Sequence, residues 1–109
     1  MKKITRDIAI AFHQGEHLKI SNTETKHGSI WLHGNEIVRT LNNRAIIFTL
    51  AGWNTNVTKE RLMAIGVKIY NRKKLPVMEV RATHPDDIYR IIDEDSWYYT
   101  CGEEFKTTE

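Results

Sequence analysis

Among the side chains able to hold a metal or move a proton, the five histidines come first. His13 and His17 are four residues apart with Glu16 beside them, a spacing that lets two imidazoles on one helix face reach one ion. A working site needs a third ligand and an outer shell, and nothing in the sequence brings His27, His33 or His84 to that pair. His33-Gly34-Asn35 has the residue types of a fragment of a histidine–asparagine nuclease centre. The simpler account is a hairpin turn at Gly34-Asn35 bordered by His33, since a catalytic centre has to be argued from a constellation and none is visible. Cys101 lacks a glycine-rich elbow and an identifiable base, and is expected to pack as a small hydrophobe or to sit near a frayed end. No glycine loop of the phosphate-cradling kind occurs. The expectation is therefore a non-enzymatic protein with no catalytic residue, no metal and no cofactor, a metal-dependent hydrolase or nuclease being the remote alternative.

Binding chemistry is better represented. Arg72, Lys73 and Lys74 cluster where a hairpin tip is expected, and Arg39, Arg44, Lys59, Arg61 and Lys68 extend the basic set that could meet phosphates. Trp31, Trp53 and Tyr70 would stack on bases if exposed. Against this, a tryptophan between a strand and a helix, as at Trp53, is expected to seal a core. The isoelectric point near 8.7 is also modest for a nucleic-acid binder. At the other end, Trp97, Tyr98 and Tyr99 are consecutive, so a strand must send them to both faces. Beside the acids Asp93, Glu94 and Asp95 they make a candidate protein-binding anchor. The alternative is that Tyr98 only covers the sheet.

The net charge of +2 conceals an asymmetry. Residues 1–82 carry fourteen Lys/Arg against six Asp/Glu, whereas residues 83–109 carry two against eight. Such a chain either presents two poles to different partners or folds its acidic end over its basic body. With 109 residues, 40% hydrophobic and 28% charged, one folded domain over 1–109 is expected, with a tail from about 103. The apolar stretch Ile8–Phe12 is too short for a signal peptide and no stretch nears the ~20 apolar residues of a membrane span. Cytoplasmic residence is the expectation. A lone cysteine excludes an internal disulfide.

These residues must be positioned by a small α+β fold. Thr5 is expected to cap a helix through about Glu16, with Ile4, Ile8, Ala11 and Phe12 forming its stripe. From Thr23 to Leu50 the period falls to two, predicting an antiparallel meander with turns at Gly34-Asn35 and Asn42-Asn43. Thr55 or Asn56 caps a second helix over 57–65, with Gly66 at its C′ position, Val57, Leu62 and Ile65 inward, and Lys59, Glu60 and Arg61 partly outward. Strands are predicted at Val67–Tyr70 and Val77–Val80, Pro76 arguing for an edge. A short helix from Thr83 to about Ile92 and a last strand Trp97–Thr100 complete a sheet of about five or six strands, both main helices on one face.

Three blocks carry a resemblance: Trp31-Leu32-His33-Gly34-Asn35-Glu36-Ile37, Thr49-Leu50-Ala51-Gly52-Trp53-Asn54-Thr55, and Thr58-Lys59-Glu60-Arg61-Leu62. Together they resemble a group of small bacteriophage proteins with an LHGN-x-I strand and turn, a TLAGW-x-T break and a TTRERLNAL-like helix. In this chain Val57 and Lys59 replace the group's usual Thr and Arg. The resemblance implies a phage origin and brings no activity with it. It makes an accessory protein acting on a host or phage protein in the host cytoplasm the expected role, with nucleic-acid binding through the basic hairpin as the alternative.

Overall fold

The computed structural model describes residues 3–79, 89–101 and 103–105. Helix α1 (Lys3–Gln14) is followed by β1 (Leu18–Ile20), β2 (Thr23–Lys26), β3 (Ser29–Leu32), β4 (Asn35–Thr40) and β5 (Ile46–Phe48). Next come α2 (Asn56–Met63), β6 (Ile69–Arg72), β7 (Leu75–Glu79), β8 (Tyr89–Ile91), β9 (Trp97–Tyr99) and β10 (Glu104–Phe105). One seven-stranded antiparallel sheet has the order β1-β2-β3-β4-β5-β9-β10, and a second sheet has the order β6-β7-β8. The fold is α+β, as the patterning predicts. The described residues form ten strands, against the five or six expected, because the meander arms are only three to six residues long and because β1, β8 and β10 pair where the sequence pattern predicts no strand.

The meander keeps a six-residue cadence. Two-residue turns at Ser21-Asn22, His27-Gly28 and His33-Gly34 separate its first four arms. At the last turn His33 (φ 52°) and Gly34 (φ 80°) are both left-handed, which a tight hairpin of matching twist requires. The turn is thus His33-Gly34, one residue earlier than expected, and Asn35 opens β4. In β3 and β4 the pairing shifts between Ile30↔Val38 and Trp31↔Glu36, a bulge that leaves Ile37 as an extra residue. The bulge lets Ile37 and Val38 both enter the core, which strict alternation forbids.

Ile8 and Phe12 of α1 and Leu62 of α2 close over Ile30, Leu32, Val38, Phe48 and Tyr98, so both helices cover the same sheet face. Thr5 is not the α1 cap. It lies inside the helix and is 1% exposed, because its hydroxyl is held in a buried polar cluster described below. Thr55 does cap α2, accepting from the Thr58 N–H. The helix ends in a Schellman pair, Gly66 N–H to Met63 O (3.1 Å) and Val67 N–H to Leu62 O (3.2 Å), with Gly66 at φ 96°.

Two expectations fail in the second sheet. β7 is its central strand, although it contains Pro76. The Pro76 carbonyl accepts from Ile92 N–H (3.0 Å), so its ring nitrogen faces the β8 side, one step past the last pair Val77↔Ile91. No ladder bond to β6 is lost there. The helix expected over 83–92 is strand β8 at 89–91, paired along β7, while 83–88 lie outside the described residues. Residues 104 and 105, within the stretch expected to trail free, pair with Tyr98 and Trp97.

Candidate functional site

Strand β5 is followed by the buried Thr49 and Leu50, and the chain must then reverse before α2. Ala51 (φ 52°) and Gly52 (φ 80°) make that reversal, closed by Trp53 N–H to Leu50 O (2.8 Å). Gly52 donates its N–H to Glu94 O (2.9 Å), and a Cβ on it would stand 3.2 Å from Asp95 Oδ1. The acidic turn Asp93-Glu94-Asp95 is thereby fastened against the Gly52 turn. Because the two turn residues swing the chain round, Trp53 is thrown outward and is 59% exposed. The expectation that it seals the core is overturned: Leu50 fills that place.

Beside Trp53 lies a cavity of about 480 Å³ lined by Leu32, His33, Asn35, Ile37, Leu50, Trp53, Thr55, Val57 and Thr58. Leu32, Ile37, Leu50 and Thr58 are buried and form its floor, whereas Trp53 and Val57 are exposed walls. The volume falls in the range of small-ligand sites. All three sequence blocks converge here: the turn after β3, the break after β5 and the first turn of α2.

The predicted protein-binding residues divide. Asp93 and Asp95 are exposed next to this site and Glu94 is half-buried. Tyr98 is 4% exposed and its hydroxyl accepts from Asp93 N–H (2.6 Å), so it braces the acidic turn from within and offers no anchor. Trp97 is half-buried on the outer sheet face beneath the Arg39 guanidinium, 4.7 Å from its ring centroid. Arg39 also donates to Glu36, which takes a hydrogen bond from Ser29 as well. Burial pushes the Glu36 carboxyl up, but the hydrogen bonds from Arg39 and Ser29 and the Arg39 charge outweigh it and hold it below the usual range. A second tryptophan on that face, Trp31, lies under Lys26 at 5.4 Å, and its indole N–H has no acceptor among the described residues.

The predicted basic surface is dispersed. Lys59 and Arg61 are each only 5% exposed, which removes them from any patch that meets phosphates. Arg61 donates from Nη1 to Thr5 Oγ1 (2.7 Å) and from Nε to Thr23 Oγ1 (3.1 Å), while Thr5 donates to Glu60 Oε1 (2.7 Å). One guanidinium thus ties α1, α2 and β2. Lys59 donates to Asn54 Oδ1 (3.0 Å), and burial lowers its pKa. Counting back four residues from Leu62 and Ile65 reaches Thr58 and Arg61, so the inward stripe is Thr58, Arg61, Leu62 and Ile65, with polar members that hydrophobicity alone passes over. Arg72, Lys73 and Lys74 are exposed at the β6–β7 turn, and Arg44 at the β4–β5 turn.

His17 Nε2 is 2.7 Å from Glu24 Oε2, His33 pairs with Asn22 at 3.3 Å, and His13 sits edge-on to Phe12. Among the described residues no three His, Cys, Asp or Glu side chains converge as a metal site would need. His84 lies outside them. Within the described residues no helix is long and apolar enough to cross a membrane.

A family model described as Kyanoviridae Gp96 protein matches residues 1–82, most of the chain. The chain belongs to the Kyanoviridae Gp96 protein family. It is thus a bacteriophage protein, the origin that the three blocks imply. The Gp96 match takes in the meander, the Trp53 turn, the cavity and α2, and stops before β8 and the acidic turn. No curated protein and no solved structure matches.

Proposed function

We propose that this phage protein is a non-enzymatic accessory factor that binds a host or phage protein through the Trp53 surface and alters that protein's activity in the host cytoplasm. One observation carries the reading: an indole 59% exposed on the wall of an apolar cavity, with the acidic turn held against its base. Tryptophan beside a pocket, rimmed by polar groups that exclude water, is the composition of interface hot spots. The acids favour a protein partner here, since carboxylates repel a phosphate backbone.

Affinity capture from nuclease-treated host lysate tests this. The wild type should retain a protein that Trp53→Ser loses and that the triple change Arg72→Ala, Lys73→Ala, Lys74→Ala keeps. If retention instead needs nucleic acid, falls steeply with salt and disappears in the triple variant, the basic hairpin is the functional surface.

A further inference from the structure

We infer that the cavity beside Trp53 takes a single tyrosine or tryptophan side chain carried on a lysine- or arginine-rich segment of the partner protein. The inference rests on the docking reading above and gives its occupant a chemistry. None of the nine lining residues is an Asp, Glu, Lys or Arg, so a charged group would enter without a fixed counter-ion among them and bear its desolvation cost. The floor of Leu32, Ile37 and Leu50 suits an apolar body, and the Trp53 wall suits a flat ring packed against it.

At the rim the side-chain amide of Asn35 is exposed and hydrogen-bonded to no other described residue, so it has both a donor and an acceptor to offer. The hydroxyls of the cavity are occupied: Thr55 and the buried Thr58 bond each other at 2.9 Å, and Thr55 also caps α2. A ring with a polar edge, the phenol of tyrosine or the indole N–H of tryptophan, satisfies that amide where phenylalanine does not. Outside the cavity, Asp93 and Asp95 are exposed next to Gly52, and their charges call for cations on the segment flanking the ring.

The test uses the whole protein and three synthetic peptides with blocked ends: Lys-Lys-Tyr-Lys-Lys, the same with Ala for Tyr, and the same with Phe for Tyr. Binding is read from the NMR shift of the Trp53 indole N–H. The tyrosine peptide should bind at least about tenfold more tightly than the alanine one, the size of a single buried anchor. Val57→Lys, which puts a cation on the exposed cavity wall, should erase that difference. Asn35→Ala should bring the tyrosine peptide down to the phenylalanine peptide. Asp93→Asn with Asp95→Asn should weaken all three peptides and flatten their salt dependence. Tyrosine and alanine peptides binding within twofold of each other would overturn the inference. If that happens while Trp53→Ser still abolishes capture of the partner, only the occupant is wrong; if capture is indifferent to Trp53→Ser, the docking reading falls with it.

Discussion

Helix α2 and the β6–β7 hairpin carry the same residue types to opposite ends. Lys59 and Arg61 sit on the helix within the core, and Arg72, Lys73 and Lys74 sit on a hairpin in water. A buried guanidinium needs partners, and two threonine hydroxyls from α1 and β2 accept from it while the Glu60 carboxylate stands 3.6 Å away. At the hairpin tip nothing demands pairing, but the backbone makes its own demand: Lys73 (φ 52°) and Lys74 (φ 67°) are both left-handed. A cation's charge therefore says little about its role until its surroundings are known. In one place the side chain is indispensable, and in the other the main chain would be better served by different residues.

The largest expected effect is at Arg61. Arg61→Met should cost about 2–4 kcal/mol in urea denaturation, because it removes the guanidinium that ties α2 to α1 and β2 and takes from the buried Thr5 and Thr23 oxygens the N–H groups they accept from. A loss under 1 kcal/mol would mean that the cluster relaxes to water and that the contrast is one of position only. In the hairpin, Lys73→Asn with Lys74→Gly should do the reverse and add about 1 kcal/mol, since that pair accepts left-handed angles readily. Loss of stability there would show that the lysines make contacts that matter.

Lys59 separates burial from pairing. Its only hydrogen bond among those described is to a neutral amide, so Lys59→Met should stay within about 1 kcal/mol of wild type at neutral pH. The folded pKa is lowered, so as pH rises through it the folded state sheds a proton that the unfolded chain still holds. Wild-type stability should rise between that folded value and the ordinary lysine value, and the Met variant should show no such rise. The smallest effect belongs to the half-exposed ion pair on the outer sheet face. Glu36 has a lowered folded pKa, so its contribution is present above the ordinary glutamate value and is lost as pH falls through the folded one. Glu36→Gln should flatten that acid limb by about 0.5 kcal/mol.

The local devices could be read directly. The Thr55 cap, Gly66 at the helix end and the α1 stripe rest on short-range bonds and helical spacing, and they stand where expected. The strand at Trp97 follows from its run of aromatics. The bulge at Ile37 could not be read, since the period of two has no notation for an inserted residue. Strand β8 could not either, because its pairing with β7 supplies what its own sequence lacks. Of the candidate site, the acidic turn and the aromatic run after it are legible in the sequence, but Tyr98 of that run faces the core, and the exposed indole is Trp53 next to the Gly52 turn.

By itself the sequence determined charge, turn chemistry and the spacing that puts residues on a common face, because these depend on neighbours within about four positions. Only the tertiary structure decided which face meets the core. That choice buried Arg61 and Tyr98, exposed Trp53, and brought a turn near residue 94 against one at residue 52. Burial is a property of what packs from far along the chain, and a residue's own type prices that burial without settling whether it occurs.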